Sequence, residues 1–113
     1  MNWEELRGFC LSMNGAAETF PFEPGVSVFK APNGRMFAVS VSHDVTLDIS
    51  LKCDPERGLA LRREHADVVE GYHLDKRHWI TVTLDGDVPD ALVRELVEDS
   101  YDLVAGKRPA RAR

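Results

Sequence analysis

The sequence has no apolar run long enough to cross a membrane, which argues against a membrane-spanning protein. None of its hydrophobic stretches approaches the roughly 20 residues that a bilayer span requires. The acidic start, Met1–Arg7, also lacks the apolar segment of a secretory signal peptide. We therefore expect a cytoplasmic protein with no membrane partner, in which Cys10 and Cys53 are reduced thiols.

The motifs of common catalytic, cofactor and metal sites are also missing. The 8 glycines are scattered, and they form neither a glycine-rich phosphate loop nor a Gly-x-Ser-x-Gly nucleophile elbow. The 4 histidines, at positions 43, 65, 73 and 78, match no zinc-ligand spacing, and the two cysteines lie far apart. The sequence therefore predicts a non-enzymatic protein with no cofactor and no metal site.

The charge balance is acidic overall but uneven along the chain. A formal net charge of -5 argues against non-specific nucleic-acid binding by the whole surface, because such binding depends on basic side chains that displace counterions. Residues 85–104 carry seven acids and one base, whereas residues 105–113 carry four bases and no acid. An acidic domain can therefore still have a basic edge.

Three segments have the signals of amphipathic helices. Apolar residues recur at helical spacing from Asn2 to Met13, and Asn2 with Glu5 resembles a capping box. Asp54 followed by a proline predicts the start of a short helix that runs to about His65. A third helix is predicted to begin near Pro89 and end at Gly106.

Alternation with a period of two predicts five strands: Val26–Ala31, Arg35–Ser42, Val45–Leu51, Val68–His73 and Trp79–Leu84. The predicted order is α-β-β-β-α-β-β-α, a two-layer α+β fold with helices on one face of a mainly antiparallel five-stranded sheet. We expect one domain over residues 1–105 and a basic, disordered tail over residues 106–113. The polar positions Thr46, Asp48, Ser50, Thr81 and Thr83, with Trp79, would line the open face.

The densest group of recognition-capable side chains lies in the turn before the last strand, at Lys76, Arg77, His78 and Trp79. A basic turn beside an aromatic ring can contact phosphates and stack on a base, with about 1–3 kcal/mol per stacked base. Alternatively, the charges belong to an ordinary polar turn and the tryptophan packs at the sheet edge. Lys30 and Lys52 would extend the turn into a basic stripe, or would only protect strand edges from aggregation.

The chain resembles the MmcQ/YjbR family of small bacterial proteins over residues 1–105. The matching segments are Phe29-Lys30, Leu51–Pro55, Gly71–Trp79, Leu84–Gly86 and Ser100-Tyr101. Asp75 departs from the asparagine expected of the family, and its charge weakens the local positive field. The resemblance implies a CyaY-like, double-wing fold and a DNA-binding role. The physical expectation for Tyr101 is a buried ring with a hydrogen-bonded hydroxyl.

These observations lead to one hypothesis and one alternative. The hypothesis is a small cytoplasmic binding module that contacts DNA through Lys30, Lys52 and the turn from Lys76 to Trp79. It requires the three lysines to converge on one face. The alternative is a protein-interaction or adaptor domain that uses the open sheet face and has no nucleic-acid role.

Overall fold

The structure is a computed structural model, and it describes residues 1–41, 46–71 and 74–106. Within these ranges the chain forms three helices and six strands. In order these are α1 (Trp3–Leu11), β1 (Ala17–Thr19), β2 (Ser27–Lys30), β3 (Met36–Ser40), β4 (Asp48–Lys52), α2 (Pro55–Glu64), β5 (Val68–Glu70), β6 (Trp79–Thr83) and α3 (Asp90–Ala105). No helix in the described ranges is long and apolar enough to cross a membrane.

The six strands form one sheet in the order β1-β2-β3-β4-β6-β5, and every neighbouring pair is antiparallel. The chain leaves β4 through α2, forms β5 at the sheet edge, and returns as β6 between β4 and β5. The prediction of an antiparallel α+β sheet is confirmed. The predicted ends at Ser42, Val45 and His73 lie outside the described residues, as does the predicted tail from residue 107 onward.

The prediction of five strands was wrong, because β1 adds a sixth at the other sheet edge. This strand has only three residues, Ala-Glu-Thr, and it shows no alternation of apolar side chains. Its backbone pairs with β2, and two side-chain hydrogen bonds add to this pairing. The hydroxyl of Thr19 donates to the carbonyl of Val28 at 3.0 Å, and the hydroxyl of Ser27 donates to the carboxylate of Glu18 at 2.8 Å.

The helices begin where the sequence predicts. Asn2 and Glu5 form a reciprocal capping box at the start of α1. The carboxylate of Asp54 accepts from the backbone N–H of Glu56 at the start of α2. Pro89 occupies the N-cap position of α3, and Gly106 ends that helix with φ at 82°, in the left-handed region that glycine tolerates.

One hydrophobic core fills the space between the helices and one face of the sheet. It contains Leu6 from α1, Leu61 from α2 and Leu96 from α3, packed on a row of strand residues that includes Ile49 and Val82. Leu47 and Leu92 are partly buried and pack against the same core. β4 and α3 therefore share one core.

Polar side chains attach the C-terminal half of α3 to the sheet. The buried hydroxyl of Ser100 donates to the carbonyl of Phe37 at 2.6 Å and accepts from the backbone N–H of Lys52 at 2.9 Å. Tyr101 is 2% exposed and its hydroxyl donates to the carbonyl of Asn14, as expected. The amide of Asn33 donates to the carbonyl of Val104 at 2.9 Å. The end of α3 thus lies beside the β2–β3 turn.

The face opposite the helices, here called the open face, is less open than the sequence suggests. Ser50 and Thr81 are on this face but only 4% and 6% exposed, and their hydroxyls share a hydrogen bond of 2.8 Å. Val28 and Val39 form a small second core on it. Ser50 and Thr81 therefore line this face as expected, but they are buried in it and not exposed to solvent.

Leu96→Ala tests the packing of α3. Leu96 is 2% exposed in the core, so truncation should lower the free energy of unfolding by about 2–5 kcal/mol. Leu103→Ala on the same helix is the matched control, because Leu103 is 48% exposed. Urea denaturation measures both variants. A loss below about 0.5 kcal/mol for Leu96→Ala would contradict the packing described here.

Gly71→Ala tests the close approach of β5 and β6 at the hairpin. A Cβ on residue 71 would lie 2.6 Å from the Cβ of Trp79 and 3.1 Å from its backbone, so the strands must separate. We expect a loss of about 1–3 kcal/mol in the same denaturation assay. Gly25→Ala is the control, since a Cβ there meets nothing within 4 Å. Equal stabilities of the two variants would contradict this prediction.

Candidate functional site

Asp75 organises the turn that leads into β6. Its carboxylate accepts from the backbone N–H of Arg77 at 2.9 Å and lies 2.8 Å from the Nδ1 of His78. Its backbone carbonyl accepts from the N–H groups of His78 and Trp79. The hydrogen bond with His78, followed by that from the Arg77 backbone, lowers the pKa of Asp75. Asp75 is therefore ionised at neutral pH and helps to fix the conformation of the turn.

The two basic side chains of the turn differ in their contacts. The ammonium of Lys76 donates one hydrogen bond, to the carbonyl of Gly71 at 3.1 Å. An ammonium has three N–H donors, so this contact orients Lys76 and leaves it able to bind an anion. Arg77 is exposed, and its side chain forms no ion pair with any of the described residues. Lys76 and Arg77 thus present adjacent positive charges.

Trp79 is buried rather than presented to solvent. It is 8% exposed and stands opposite Gly71, whose N–H donates to the Trp79 carbonyl at 2.8 Å. Little of the ring surface is available for stacking on a base, which favours the packing alternative. Trp79 pairs with Lys52 on β4 and therefore lies next to one of the candidate lysines.

Strand register places Lys30 and Lys52 at the same end of the sheet. Phe29 and Leu51 both pair with Ala38, so Lys30 and Lys52 are the next residues of two strands that run in the same direction. One strand separates them, which corresponds to roughly 10 Å between backbones. Both side chains are partly exposed.

The β2–β3 turn contributes a further base to this end, because Ala31 donates to the carbonyl of Arg35 at 2.9 Å. We call this region of the sheet the basic end, and define it by Lys30, Arg35, Lys52, Lys76 and Arg77. Arg35 was not among the candidates predicted from the sequence. Its place beside the Asn-Gly hairpin signal was the clue available, since that turn brings it next to Lys30.

Acidic side chains gather at the opposite end of the sheet. Asp48 begins β4, Asp67 precedes β5, and Asp85 and Asp87 follow β6. These four residues define the acidic end. Two of them connect the segments before β5 and after β6, since the carboxylate of Asp67 accepts from the N–H of Asp87 at 2.8 Å. The separation of charge along the strands was not visible in the net charge.

A cleft of about 340 Å³ lies where the end of β4 meets α3. Its lining residues are Lys52, Cys53, Asp54, Arg57, Leu96, Asp99, Asp102 and Leu103. Arg57 bridges Asp99 and Glu95 and so ties α2 to α3. Burial raises the pKa of the Cys53 thiol, and raises that of Cys10 to about 12. Neither thiol is activated as a nucleophile.

A larger, mainly apolar cleft of about 720 Å³ lies over the open face. It is lined by Pro21, Phe22, Glu23, Val26, Val39, Val41 and Leu74. Phe22 is 63% exposed and Val41 is 47% exposed. The open face was predicted as a possible interaction surface, but the part of it formed by Phe22 was not, because the segment Phe20–Pro24 has no periodic pattern.

The described residues contain no group of three or more histidine, cysteine or acidic side chains that could hold a metal ion. Of the candidate residues, the strand register brings Lys30, Lys52, Lys76 and Arg77 to one end of the sheet. His78 is hydrogen-bonded to Asp75, and Trp79 is buried.

Comparison with known proteins places the chain among bacterial relatives. It is 33% identical over 113 residues to the Escherichia coli K-12 protein named as uncharacterized protein YjbR, covering 100% of this chain and 95% of that protein. A crystal structure of a Deinococcus radiodurans protein with the domain DUF419 is 44% identical, with a TM-score of 0.86 over 94% of this chain and 80% of that one.

A second crystal structure, of a Pseudomonas syringae protein, has a TM-score of 0.80 at 27% identity and covers 91% of this chain and 98% of its own. The family model described as YjbR matches residues 11–103, which include α2, most of α3, all six strands and the basic end. The chain therefore belongs to the YjbR family.

Proposed function

We propose that this chain is a cytoplasmic, non-enzymatic binding module that contacts the phosphates of DNA through its basic end. The observation that carries the proposal is the strand register, which puts Lys30 and Lys52 at the end of the sheet that also holds the turn with Lys76 and Arg77. Phosphate contact is the chemistry that such a surface favours, because its charged groups are ammonium and guanidinium donors.

The arrangement supports contact with the backbone more than with the bases. Lys76 keeps two N–H donors beyond its bond to Gly71, and the exposed Arg77 can bind a phosphate with two parallel hydrogen bonds. The ring of Trp79 is buried and has little surface to offer a base. Binding of this kind is weakly selective for sequence and strongly dependent on salt.

Nearby acids limit the strength of such binding. Asp54 follows Lys52 by two residues, Asp75 lies within the turn, and Asp102 lines the cleft that Lys52 also lines. These carboxylates reduce the positive field without removing it. We therefore expect measurable duplex binding at low salt that declines steeply as salt is added.

A second candidate function rests on the apolar cleft over the open face. The exposed ring of Phe22 beside a cleft of about 720 Å³ is typical of a surface that a protein partner covers. This is the adaptor alternative. It becomes the leading proposal if the wild-type chain binds no duplex even at low salt.

Replacing Lys76 and Arg77 together with alanine tests the proposed function. The double variant can no longer neutralise two phosphates, so the slope of log affinity against log salt on duplex DNA should fall by about 0.9 for each of them. Titration of a labelled duplex at several salt concentrations, followed by fluorescence anisotropy, measures the slope.

The matched control for this titration replaces Arg63 and Arg94 with alanine. Both are exposed and lie on the helices, away from the basic end, and their replacement removes the same formal charge. We expect the control to keep the wild-type slope within about 0.5. Equal slopes for the two double variants would show that net charge, and not the basic end, determines binding.

Asp75→Asn tests how the turn presents its charges. The amide oxygen can still accept from the Arg77 N–H, while the negative charge between Lys76 and His78 is removed. Because Asp75 is ionised at neutral pH, its neutralisation should raise duplex affinity on the order of two- to fivefold. Asp75→Ala also removes the acceptor, so the Arg77 amide should exchange faster with solvent by NMR. An unchanged affinity for Asp75→Asn would argue that the turn does not face the phosphates.

A further inference from the structure

The exposed apolar surface of the open face lies over β2 and β3. Val39 lines the cleft of about 720 Å³ there, together with the exposed side chains of Phe22 and Val41. Ser50 and Thr81, farther along the same face, are already buried within the chain. An exposed ring beside an apolar cleft is typical of a surface that another protein covers, and the charges around this surface indicate which protein fits it.

The strands of the open face carry opposite charges at their two ends. Along β4, Asp48 and Lys52 lie four residues apart on this face, because alternate residues of a strand point to the same side. Along β2, Lys30 shares the face with Val28 in the same way. β2 runs in the same direction as β4, so the exposed Glu23, which precedes β2 and lines the cleft, lies toward the end that holds Asp48.

We propose that the open face binds a second copy of this chain, and that a two-fold axis running across the strands relates the two copies. A rotation about such an axis reverses the strand direction, so the acidic end of each copy faces the basic end of the other. Asp48 then lies opposite the partner's Lys52, and Glu23 lies opposite the partner's Lys30. Because the interface is symmetric, each pair forms twice, around an apolar centre in which Phe22 of one copy meets the cleft of the other.

Charge complementarity favours a second copy over an unrelated protein. Within the described ranges neither Lys30 nor Lys52 forms an ion pair, so both ammonium groups can donate to carboxylates of the partner. The segment that presents Phe22 is also stiffened by Pro21 and Pro24, which reduces the conformational entropy lost on binding. One surface thus supplies the ring, the cleft and both signs of charge that the interface needs.

This inference does not rest on the proposed function; it names the protein partner that covers the cleft. The dimer uses Lys30 and Lys52, which also belong to the basic end, so a DNA duplex and a second copy compete for these two lysines. Dimerisation and duplex binding are measured separately, and either can fail without the other.

Mixing two charge-reversal variants tests the pairing across the interface. Glu23→Lys and Lys30→Glu each place like charges opposite one another in a homodimer, so each should associate at least about tenfold more weakly than wild type. An equimolar mixture restores opposite charges at these contacts, and it should associate about as tightly as wild type. Sedimentation velocity at protein concentrations from about 1 μM to about 1 mM measures wild type, each variant and the mixture.

Phe22→Ala tests the apolar centre of the interface. Phe22 is 63% exposed, so its truncation should leave the melting temperature within about 1 °C of wild type while weakening the dimer about tenfold. Leu59→Ala is the matched control, because Leu59 is 42% exposed on α2, on the other side of the sheet. We expect this control to dimerise as wild type does.

The following outcomes would overturn the inference. A wild-type chain that stays monomeric at about 1 mM would leave the cleft to an unrelated protein, and duplex binding by that monomer would leave the proposed function standing. A mixture that associates no more tightly than its two components would exclude the antiparallel arrangement of the copies. Equal effects of Phe22→Ala and Leu59→Ala would show that the cleft is not the interface. A chain that dimerises as described but binds no duplex at low salt would support this inference and overturn the proposed function alone.

Discussion

The hydroxyl of Ser100 makes the contact on which the arrangement of the basic end depends. It is fully buried, donates to the carbonyl of Phe37 on β3 and accepts from the N–H of Lys52 on β4. These two backbone groups stand where the β3–β4 ladder ends, since its last pair is Ala38 with Leu51. A buried backbone group without a partner is costly, and one side chain of α3 satisfies both groups.

Several features of the site follow from this attachment. Docking of α3 on the ends of β3 and β4 brings its last turn to the β2–β3 turn, where Asn33 binds the Val104 carbonyl. The same docking leaves the N-terminal end of α3 near the acidic end, because Asp90 pairs there with the terminal amine of Met1, which also binds Asp85. The direction of α3 thus determines where its C-terminal end lies and which charges surround each of its ends.

Sequence periodicity predicted the parts of this architecture that depend on local pattern. The capping box at Asn2, the Asp54-Pro55 helix start and the alternation around Ile49 each specify an element with little help from distant residues. The strand β1 was not predicted because it has no hydrophobic pattern of its own; backbone pairing with β2 and hydrogen bonds from Thr19 and Ser27 hold it in the sheet. The cleft beside Phe22 escaped for the same reason, since only tertiary contacts define it.

The candidate site likewise has a part that local sequence predicts and a part that depends on the tertiary structure. Lys76 and Arg77 could be identified from the sequence because a single turn contains them, and Lys30 and Lys52 were candidates because they would extend that turn into a basic stripe. The sequence could not show that these four residues lie at the same end of the sheet. That depends on the strand order, in which β6 lies between β4 and β5. The burial of Trp79 likewise depends on how the hairpin closes over Gly71.

The net charge of -5 does not determine whether a polyanion can bind at the basic end, because the acidic end lies farther from the bound polyanion than the basic end does. The described chain measures 32 × 30 × 25 Å, and the acidic end is separated from the basic end by the length of the strands. At an ionic strength of about 0.1 M the screening length is about 10 Å, so a phosphate at Lys52 experiences mainly the nearby charges. At about 0.01 M it rises to roughly 30 Å, and the acidic end then also repels the duplex. Under the proposed function, repulsion at one end and attraction at the other would turn the domain so that the basic end approaches the duplex first.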